Sequence, residues 1–291
     1  METPTGNDFS SELNPLGNLS RRGFITTTAA VSVATLASCK AVPGIGEISN
    51  HPNRPALNGT TLQNQVGNYP SNFSKTAGVT FTRVMVSGNY IAMTYDDGPH
   101  PTNTPRLLDM LAARNIKATF YVIGNSVNQN PGILRRTVAE GHEIGNHSQN
   151  HPLLSKLGDA QLRQEMQRCE DSIGRAAGIR PRTMRPPYGG LLQRQRQLVL
   201  DEFGYPTILW SVDPLDWKRP GASVITSRIV SGTSAGGIVL AHDLHSQTID
   251  SMPQTLDGLL RRGFKFVTVS QLIAMEVAAP TAPQTVATTT Y

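Results

Sequence analysis

Ile91-Ala92-Met93-Thr94-Tyr95-Asp96-Asp97-Gly98-Pro99-His100 is a short apolar run of strand character that ends abruptly on two adjacent carboxylates. Gly98 and Pro99 stop the strand and turn the chain. The carboxylates therefore stand at the C-terminal end of a strand, where α/β proteins place their chemistry. Two neighbouring aspartates repel each other unless a cation or a shared proton relieves them. Successive strand residues face different ways, so the pair is expected to divide labour rather than duplicate it. Alone, Asp-Asp-Gly-Pro is better explained as a surface turn. The segments that follow it argue otherwise.

Strand and helix patterns alternate on either side of this stretch. Strand-like runs fall at Val79–Val86, Tyr90–Tyr95, Lys117–Ile123, Glu143–Asn146, Thr183–Arg185, Thr207–Val212, Gly237–Ala241 and Phe264–Val269. Helical periodicity marks Thr104–Arg114, Gly132–Ala139, Asp159–Ala177, Leu192–Phe203, Ala222–Val230 and Met252–Arg261. Several of these helices run into glycine, at Gly141, Gly178, Gly204, Gly232 and Gly263, the usual stop signal. Repeated strand–helix units imply a parallel sheet covered by helices. Seven or eight such strands favour an α/β fold of the distorted (β/α) barrel type, with seven units, over an open sheet. The active site is then expected at the C-terminal ends of the strands. No Gly-x-Gly-x-x-Gly turn and no phosphate-cradling Gly-Lys loop occurs, which argues against nucleotide binding.

The ends of the chain differ in composition from its middle. Of 291 residues, 38% are hydrophobic and 16% charged, which is low for a packed domain, and the deficit lies in the terminal segments. The net charge of +5 is not gathered into basic clusters interleaved with aromatics, so nucleic acid is not an expected partner. Residues 1–39 read as an export signal. Ser20-Arg21-Arg22-Gly23-Phe24-Ile25 carries the paired arginines of a twin-arginine leader. The mild apolar segment Ile25 to Leu36 is too short to span a bilayer. Leu36-Ala37-Ser38-Cys39 resembles a lipoprotein box, which would make Cys39 the lipidated first residue of the mature protein and attach it to a membrane. An ordinary small-residue cleavage site is the alternative. Residues 40–78, rich in Pro, Asn, Gly and Ser, read as a flexible linker, and 276–291 as a disordered tail. The second cysteine, Cys169, falls in a helical pattern. It reads as a semi-buried helix residue, with a bond to Cys39 as the alternative.

Four more strand ends carry chemistry-bearing residues. Glu143–Asn146 runs into His147-Ser148-Gln149-Asn150-His151-Pro152. Pro152 disfavours helix at His151, so the two histidines converge by loop shape. Two imidazoles and one carboxylate make a metal site with open positions, as in catalytic rather than structural centres. Arg185-Pro186-Pro187-Tyr188-Gly189 is a stiff turn, suited to fixing an arginine on a carboxylate or aiming a backbone N–H at an oxyanion. In Trp210-Ser211-Val212-Asp213-Pro214-Leu215-Asp216-Trp217 the two tryptophans of the chain flank two aspartates, as in the wall of a sugar pocket or simply a core. Val239-Leu240-Ala241-His242-Asp243-Leu244-His245 brings His242 to the same rim, with His245 read as a solvated loop residue. His142, without such company, reads as a cap or surface residue.

Together, and in this order, the five segments resemble the polysaccharide deacetylase family, the carbohydrate esterases related to nodulation chitooligosaccharide deacetylases. The resemblance covers residues 79–275. It implies Asp96 as general base and Asp97, His147 and His151 as ligands of a divalent metal, zinc by default with Co2+, Ni2+ or Mn2+ able to serve. It implies Arg185 as the residue orienting the base and the backbone N–H of Tyr188 as oxyanion donor. It further implies that Asp216 tunes the general acid His242 and that Trp217, Leu240 and Tyr188 line the substrate pocket. Tyr95 stands where many members have Phe, a mild departure. The implied activity is removal of N-acetyl groups from N-acetylglucosamine units of an envelope polysaccharide, peptidoglycan ahead of chitin-like oligomers. An O-acetyl esterase on a polymer such as acetylated xylan, or a polysaccharide-binding domain without catalysis, are the alternatives. A glycosidase is disfavoured, because its carboxylates stand about 5–9 Å apart across the bond. A non-haem iron oxygenase shares the donor set, but its usual jelly-roll setting does not match the alternating α/β pattern.

The lipoprotein box generates a direct test. Cys39→Ser should move the protein from membrane to soluble export fractions, because a single hydrophobic signal anchors only marginally and multiple acylation of one cysteine is what holds. Unchanged fractionation, or a mature N-terminus away from residue 39, would count against lipidation.

Overall fold

Residue alternation along one strand, Tyr90–Asp96 (β2), sets the architecture. Every residue of β2 after Tyr90 is buried, as in a parallel strand covered on both faces. Ile91, Met93 and Tyr95 face one way and pack with Leu107, Leu108 and Leu111 of helix α1 (Asn103–Ala112) and with Leu256 and Leu259 of helix α7 (Ser246–Arg261). Ala92 faces the other way, into a second cluster with Phe81, Tyr121, Ile208 and Ile238. Thr94 and Asp96 share that inner face by the two-residue period of a strand.

The computed structural model describes residues 80–276. The expected export signal over 1–39 with Cys39, the linker over 40–78, and all of the expected 276–291 tail but Glu276 lie outside the described residues. Around β2 stand β1 (Thr80–Phe81), β3 (Thr119–Val122), β4 (Glu143–Asn146), β5 (Thr207–Ile208), β6 (Ile238–Val239) and β7 (Lys265–Phe266). All named pairings are parallel. β2 pairs with β3 through Tyr95↔Phe120, with β6 through Met93↔Val239 and with β7 through Ile91↔Phe266. β3 pairs with β4, and β1 with β5. Isolated parallel bridges carry the circuit on: Asn146 to Met184, Met184 to Thr207 of β5, and Val212 to Val239 of β6. The chain after β5 runs on to Val212, so pairing passes from β2 through β3, β4, Met184 and this segment to β6, again beside β2, while β1 pairs on β5 and β7 on β2; the seven short strands form a distorted barrel.

The remaining helices are α2 (Gly124–Gln129), α3 (Pro131–Ala139), α4 (Asp159–Ala177), α5 (Gln193–Phe203), α6 (Ala222–Gly232) and α8 (Val269–Ala274). α4 and α5 end where the sequence says they should, with Gly178 and Gly204 at φ 67° and 73° accepting the left-handed cap. Three expectations are corrected. α2 was not expected, because GNSVNQ has no apolar periodicity and buries only Gly124 and Val127. The run expected as a strand to Val269 turns helical there. Thr268 Oγ1 accepts the Gln271 N–H, and Gln271 Oε1 accepts the Thr268 N–H, a capping box that outweighs β-branched propensity. α7 begins at Ser246 rather than Met252 and carries Pro253 inside it. Among the described residues no helix is long and apolar enough to cross a membrane.

Close packing of β3 on β4 predicts a sensitive position. Tyr121 is fully buried, and its ring lies between Gly145 and the Arg185 guanidinium, whose Cζ is 4.3 Å from the ring centroid. A Cβ on Gly145 would come within 3.0 Å of two Tyr121 ring carbons. Gly145→Ala should destabilise the fold by about 1–3 kcal/mol, the usual cost of overpacking a core, as read by urea denaturation. Wild-type stability would mean that the Tyr121 ring has room to give.

Candidate active site

Arg185 is the centre of the upper barrel. Its side chain has 0% exposure, and that of its ion-pair partner Asp96 has 3%. Nη1 donates to Asp96 Oδ1 and to Thr94 Oγ1, both at 2.7 Å. Nε donates to the Ile208 carbonyl at 3.2 Å and Nη2 to the Leu209 carbonyl at 3.0 Å. Asp96 is thus fixed by a buried charge pair on the inner face of β2. Such a pair is held by its hydrogen bonds, and removing one member leaves the other charge stranded in low dielectric.

Asp97 behaves differently because it leaves the strand. Its φ of 79° is left-handed, so the carboxylate does not go to the outer face as strand alternation expects. It turns back to the rim, where Oδ1 lies 3.3 Å from His147 Nε2 and 3.2 Å from His151 Nε2. Asp96 Oδ2 is 3.8 Å from the same His147 nitrogen. Adjacent aspartates do divide their contacts, but on one rim rather than on opposite faces. The His147–His151 loop is non-helical as expected, with Ser148 and His151 at φ 65° and 60°.

The donor chemistry of this cluster fits a metal. His147 Nδ1 is 2.7 Å from the Arg185 carbonyl, which can only accept, so Nδ1 carries the proton. In the neutral ring Nε2 then presents a lone pair toward the Asp97 oxygen. Asp97 Oδ1 is buried and has no hydrogen-bond partner of good geometry. Lone pairs facing each other at this distance require a proton or a cation between them. One ligand atom each from Asp97, His147 and His151 lies within 4.8 Å of the others, so the three form a possible metal site. Without a cation the same attraction shows as charge coupling. Burial opposes ionisation of Asp97, yet the two close histidines outweigh it and hold the carboxyl well below its usual range. His147 moves up, Asp96 and Asp97 overcoming the cost of burying its charge.

Across the rim, His242 follows β6 and bridges Asp96. Its Nδ1 is 2.8 Å from Asp216 Oδ1, and its backbone N–H donates to Asp216 Oδ2 at 2.8 Å. Thr248 Oγ1 and the Trp217 N–H also donate to this fully buried carboxylate. Burial works against charge on His242, but the Asp216 hydrogen bond and charge prevail and lift its pKa to about 9. Asp216 is held low by the same pair, again against burial.

Tyr188 is 70% exposed, takes φ 59°, and sets its ring 4.7 Å from His151, with its hydroxyl 3.2 Å from His151 Nδ1. Trp217 is 50% exposed at the rim, with Lys218 Nζ 4.9 Å from its ring. Leu240 is buried, its N–H on the Val212 carbonyl. Trp210 instead stands near the Arg185 guanidinium, at 5.7 Å, and Asp213 caps a turn by accepting the Leu215 N–H. His142 is neither cap nor surface residue. It is buried, Nδ1 accepts the Ala118 N–H, and burial pushes its pKa down to about 4. Cys169 is fully buried rather than semi-buried, a free thiol. His245 is half-buried at the start of α7.

Sequence reasoning passed over Asp243, beside His242. It is wholly buried, Oδ2 accepts the Thr104 hydroxyl, and burial raises its pKa to about 7. It packs on Gly98, where a Cβ would come within 3.0 Å of its carboxyl, so this glycine is needed for space. The signal was present, a second acidic residue at a strand end, but its partner is 139 residues away.

A family model described as polysaccharide deacetylase matches residues 83–208. The peptidoglycan-N-acetylglucosamine deacetylase PgdA of Listeria monocytogenes is 42% identical over 182 residues, covering 62% of this chain and 38% of that protein. This chain therefore matches well under half of that relative's length. The chitooligosaccharide deacetylase of Bradyrhizobium sp. is 37% identical, covering 62% of this chain and 90% of that one. Among solved structures, the Bc1960 peptidoglycan N-acetylglucosamine deacetylase is 32% identical with a TM-score of 0.64, covering 68% of this chain and 95% of that chain.

The His242–Asp216 pair gives a pH prediction. A histidine raised to about 9 is protonated through neutrality, so its stabilisation is full below its unfolded value and is lost as pH rises through about 9. NMR titration of metal-free protein should place the His242 midpoint near that pH. In Asp216→Asn it should fall by about 1–3 pH units. A wild-type midpoint in the ordinary histidine range would mean that the pair carries no extra charge.

Proposed function

The chain belongs to the polysaccharide deacetylase family, and from that premise we propose that it is a metal-dependent deacetylase that removes N-acetyl groups from N-acetylglucosamine units of an envelope polysaccharide. The observation that carries the reading is the pairing of two unlike charge systems on one rim. Asp96 with Arg185 and Asp97 with two histidines stand at one strand end, and a protonated His242 stands at the next.

The division of roles follows from these contacts. Asp97, His147 and His151 would hold the metal, and zinc suits a site of two nitrogens and one oxygen with open positions. When bound there, a divalent ion polarises oxygen and lowers the pKa of water. Asp96, held by Arg185, accepts a proton from the water that attacks the acetamide carbonyl carbon. The Tyr188 N–H donates to the carbonyl oxygen as negative charge develops on it. His242, kept charged by Asp216, gives its proton to the departing nitrogen. The carbon–nitrogen bond breaks, acetate leaves, and a free amine stays on the sugar. Trp217, Tyr188 and Leu240 would form the sugar-facing wall, consistent with the exposure of the two aromatics at the rim.

Peptidoglycan is the proposed polymer, supported by the names of the Listeria and Bc1960 relatives. The same names and the leader-like residues 1–39 support an exported protein of the envelope, with Cys39 as its lipid attachment.

Acetate release from peptidoglycan, chitooligosaccharides and acetylated xylan, with and without chelator, tests the reaction and its polymer. Release from xylan alone would favour an O-acetyl esterase, and no release from any of them a binding domain. The two aspartates should separate. Asp96→Asn should keep its metal and lose about 10²–10⁴-fold in turnover, the range for a general base. It should also lose stability, by about 3–5 kcal/mol, because Arg185 is left without its anion. Asp97→Asn should lose metal instead and recover in part as metal is raised. Equal loss of metal in both variants, or rescue of Asp96→Asn, would make the pair a joint clamp.

A further inference from the structure

Glu165 lies on α4, outside every segment assigned a role so far, with 9% exposure. Its Oε2 accepts the backbone N–H of Gln149 at 3.0 Å and of Asn150 at 2.9 Å. Its Oε1 accepts Asn150 Nδ2 at 2.5 Å. Both N–H groups belong to the loop between His147 and His151. Among the described residues no cation pairs with Glu165, and its hydrogen-bond donors are these three N–H groups of Gln149 and Asn150.

That loop needs outside support. Ser148 and His151 are both left-handed, a conformation that side-chain-bearing residues seldom adopt unless their surroundings impose it. On its other side, the carbonyls of Ser148 and Gln149 accept the N–H groups of Gly124 and Asn125 in α2. The loop is held by its donors on α4 and by its acceptors on α2. Within the loop, His151 N–H donates to Ser148 Oγ and Ser148 N–H to Asn146 Oδ1. Removing Glu165 would take the acceptor from two adjacent backbone donors at the point where the chain turns from one histidine to the other.

We infer that Glu165 is a positioning residue for the metal site, setting the spacing of His147 and His151 through the backbone between them. The inference rests on the proposed metal role of those histidines. A carboxylate is required rather than any polar group. In Glu165→Gln one amide oxygen could serve both backbone donors, but the new NH2 would face Asn150 Nδ2, donor against donor. Turning the Asn150 amide would not help, since its Oδ1 already accepts Asn125 Nδ2 at 2.9 Å.

The test uses full-length metal-free protein titrated with Zn2+ and with Co2+, the cobalt visible absorption reporting ligand geometry. Wild type should bind; if it does not, the metal assignment itself fails. Glu165→Gln should bind about 10–100-fold more weakly, the usual penalty for disturbing groups that orient metal ligands, and should show an altered cobalt spectrum. Glu165→Asp, which keeps the charge but draws it back by one methylene, should fall between the two. Circular dichroism melts of the metal-free variants identify which are folded, and either folded variant carries the test. Wild-type affinity and spectrum in a folded variant would overturn the inference. Failure of both variants to fold would overturn it too, making Glu165 a general structural residue.

Discussion

A guanidinium with no exposure, inside a barrel, is the constraint on which the site depends. Burying Arg185 costs several kcal/mol unless its donors and charge are met. They are met by one carboxylate, one hydroxyl and two strand-end carbonyls. Those partners come from β2 and from the segment around β5, so the charge ties together strands far apart in the chain. The price falls on the barrel interior, which is apolar at Ala92, Phe81 and Ile238 and becomes polar at Thr94 and Asp96. Tyr121, stacked on the guanidinium, lies where the two regions meet.

From that fixed point the rim is built by departures from regular backbone. Asp97, Ser148, His151 and Tyr188 all take positive φ without being glycine. Each departure re-aims a side chain or a stretch of loop that the strand or helix period would have sent elsewhere. The electrostatics follow the same geometry. His147 and His151 share the Asp97 carboxylate, and Asp216 raises the charge on His242 from the other side of the rim.

The parts of this arrangement that repeat locally were legible in the sequence. Apolar strand runs, glycine stops after α4 and α5, and five chemistry-bearing strand ends gave the barrel and its rim. What stayed hidden depends on contacts between distant residues or on backbone angles. Nothing in His147-Ser148-Gln149-Asn150-His151 says that its amides lie on Glu165, or in Asp243 that it meets Thr104. The turn of Asp97 back to the rim is a matter of φ, which period-two alternation cannot supply. α2 escaped because a polar six-residue helix has no periodicity to read, and α8 because Thr-Val-Ser reads as strand until the Thr268–Gln271 cap is recognised. His142 misled because its contacts are with residues far off in sequence: Phe120 packs edge-on against its ring at 5.3 Å between centroids, and the Ala118 N–H donates to its Nδ1.

Cys169 sits beneath this rim, its Sγ donating to the Val122 carbonyl at 3.4 Å on the side of α4 that faces β3. Burial pushes its thiol up to about 12, which keeps the reactive thiolate scarce at neutral pH. The thiol is therefore silent toward alkylating and oxidising reagents while α4 stays docked, and it becomes an ordinary reactive cysteine once the helix lifts. The protein thus carries its own chemical clock. The rate at which Cys169 is alkylated under native conditions measures how often the helix that carries Glu165 leaves the sheet, and gives the local opening free energy beneath the histidine loop separately from that of the whole barrel.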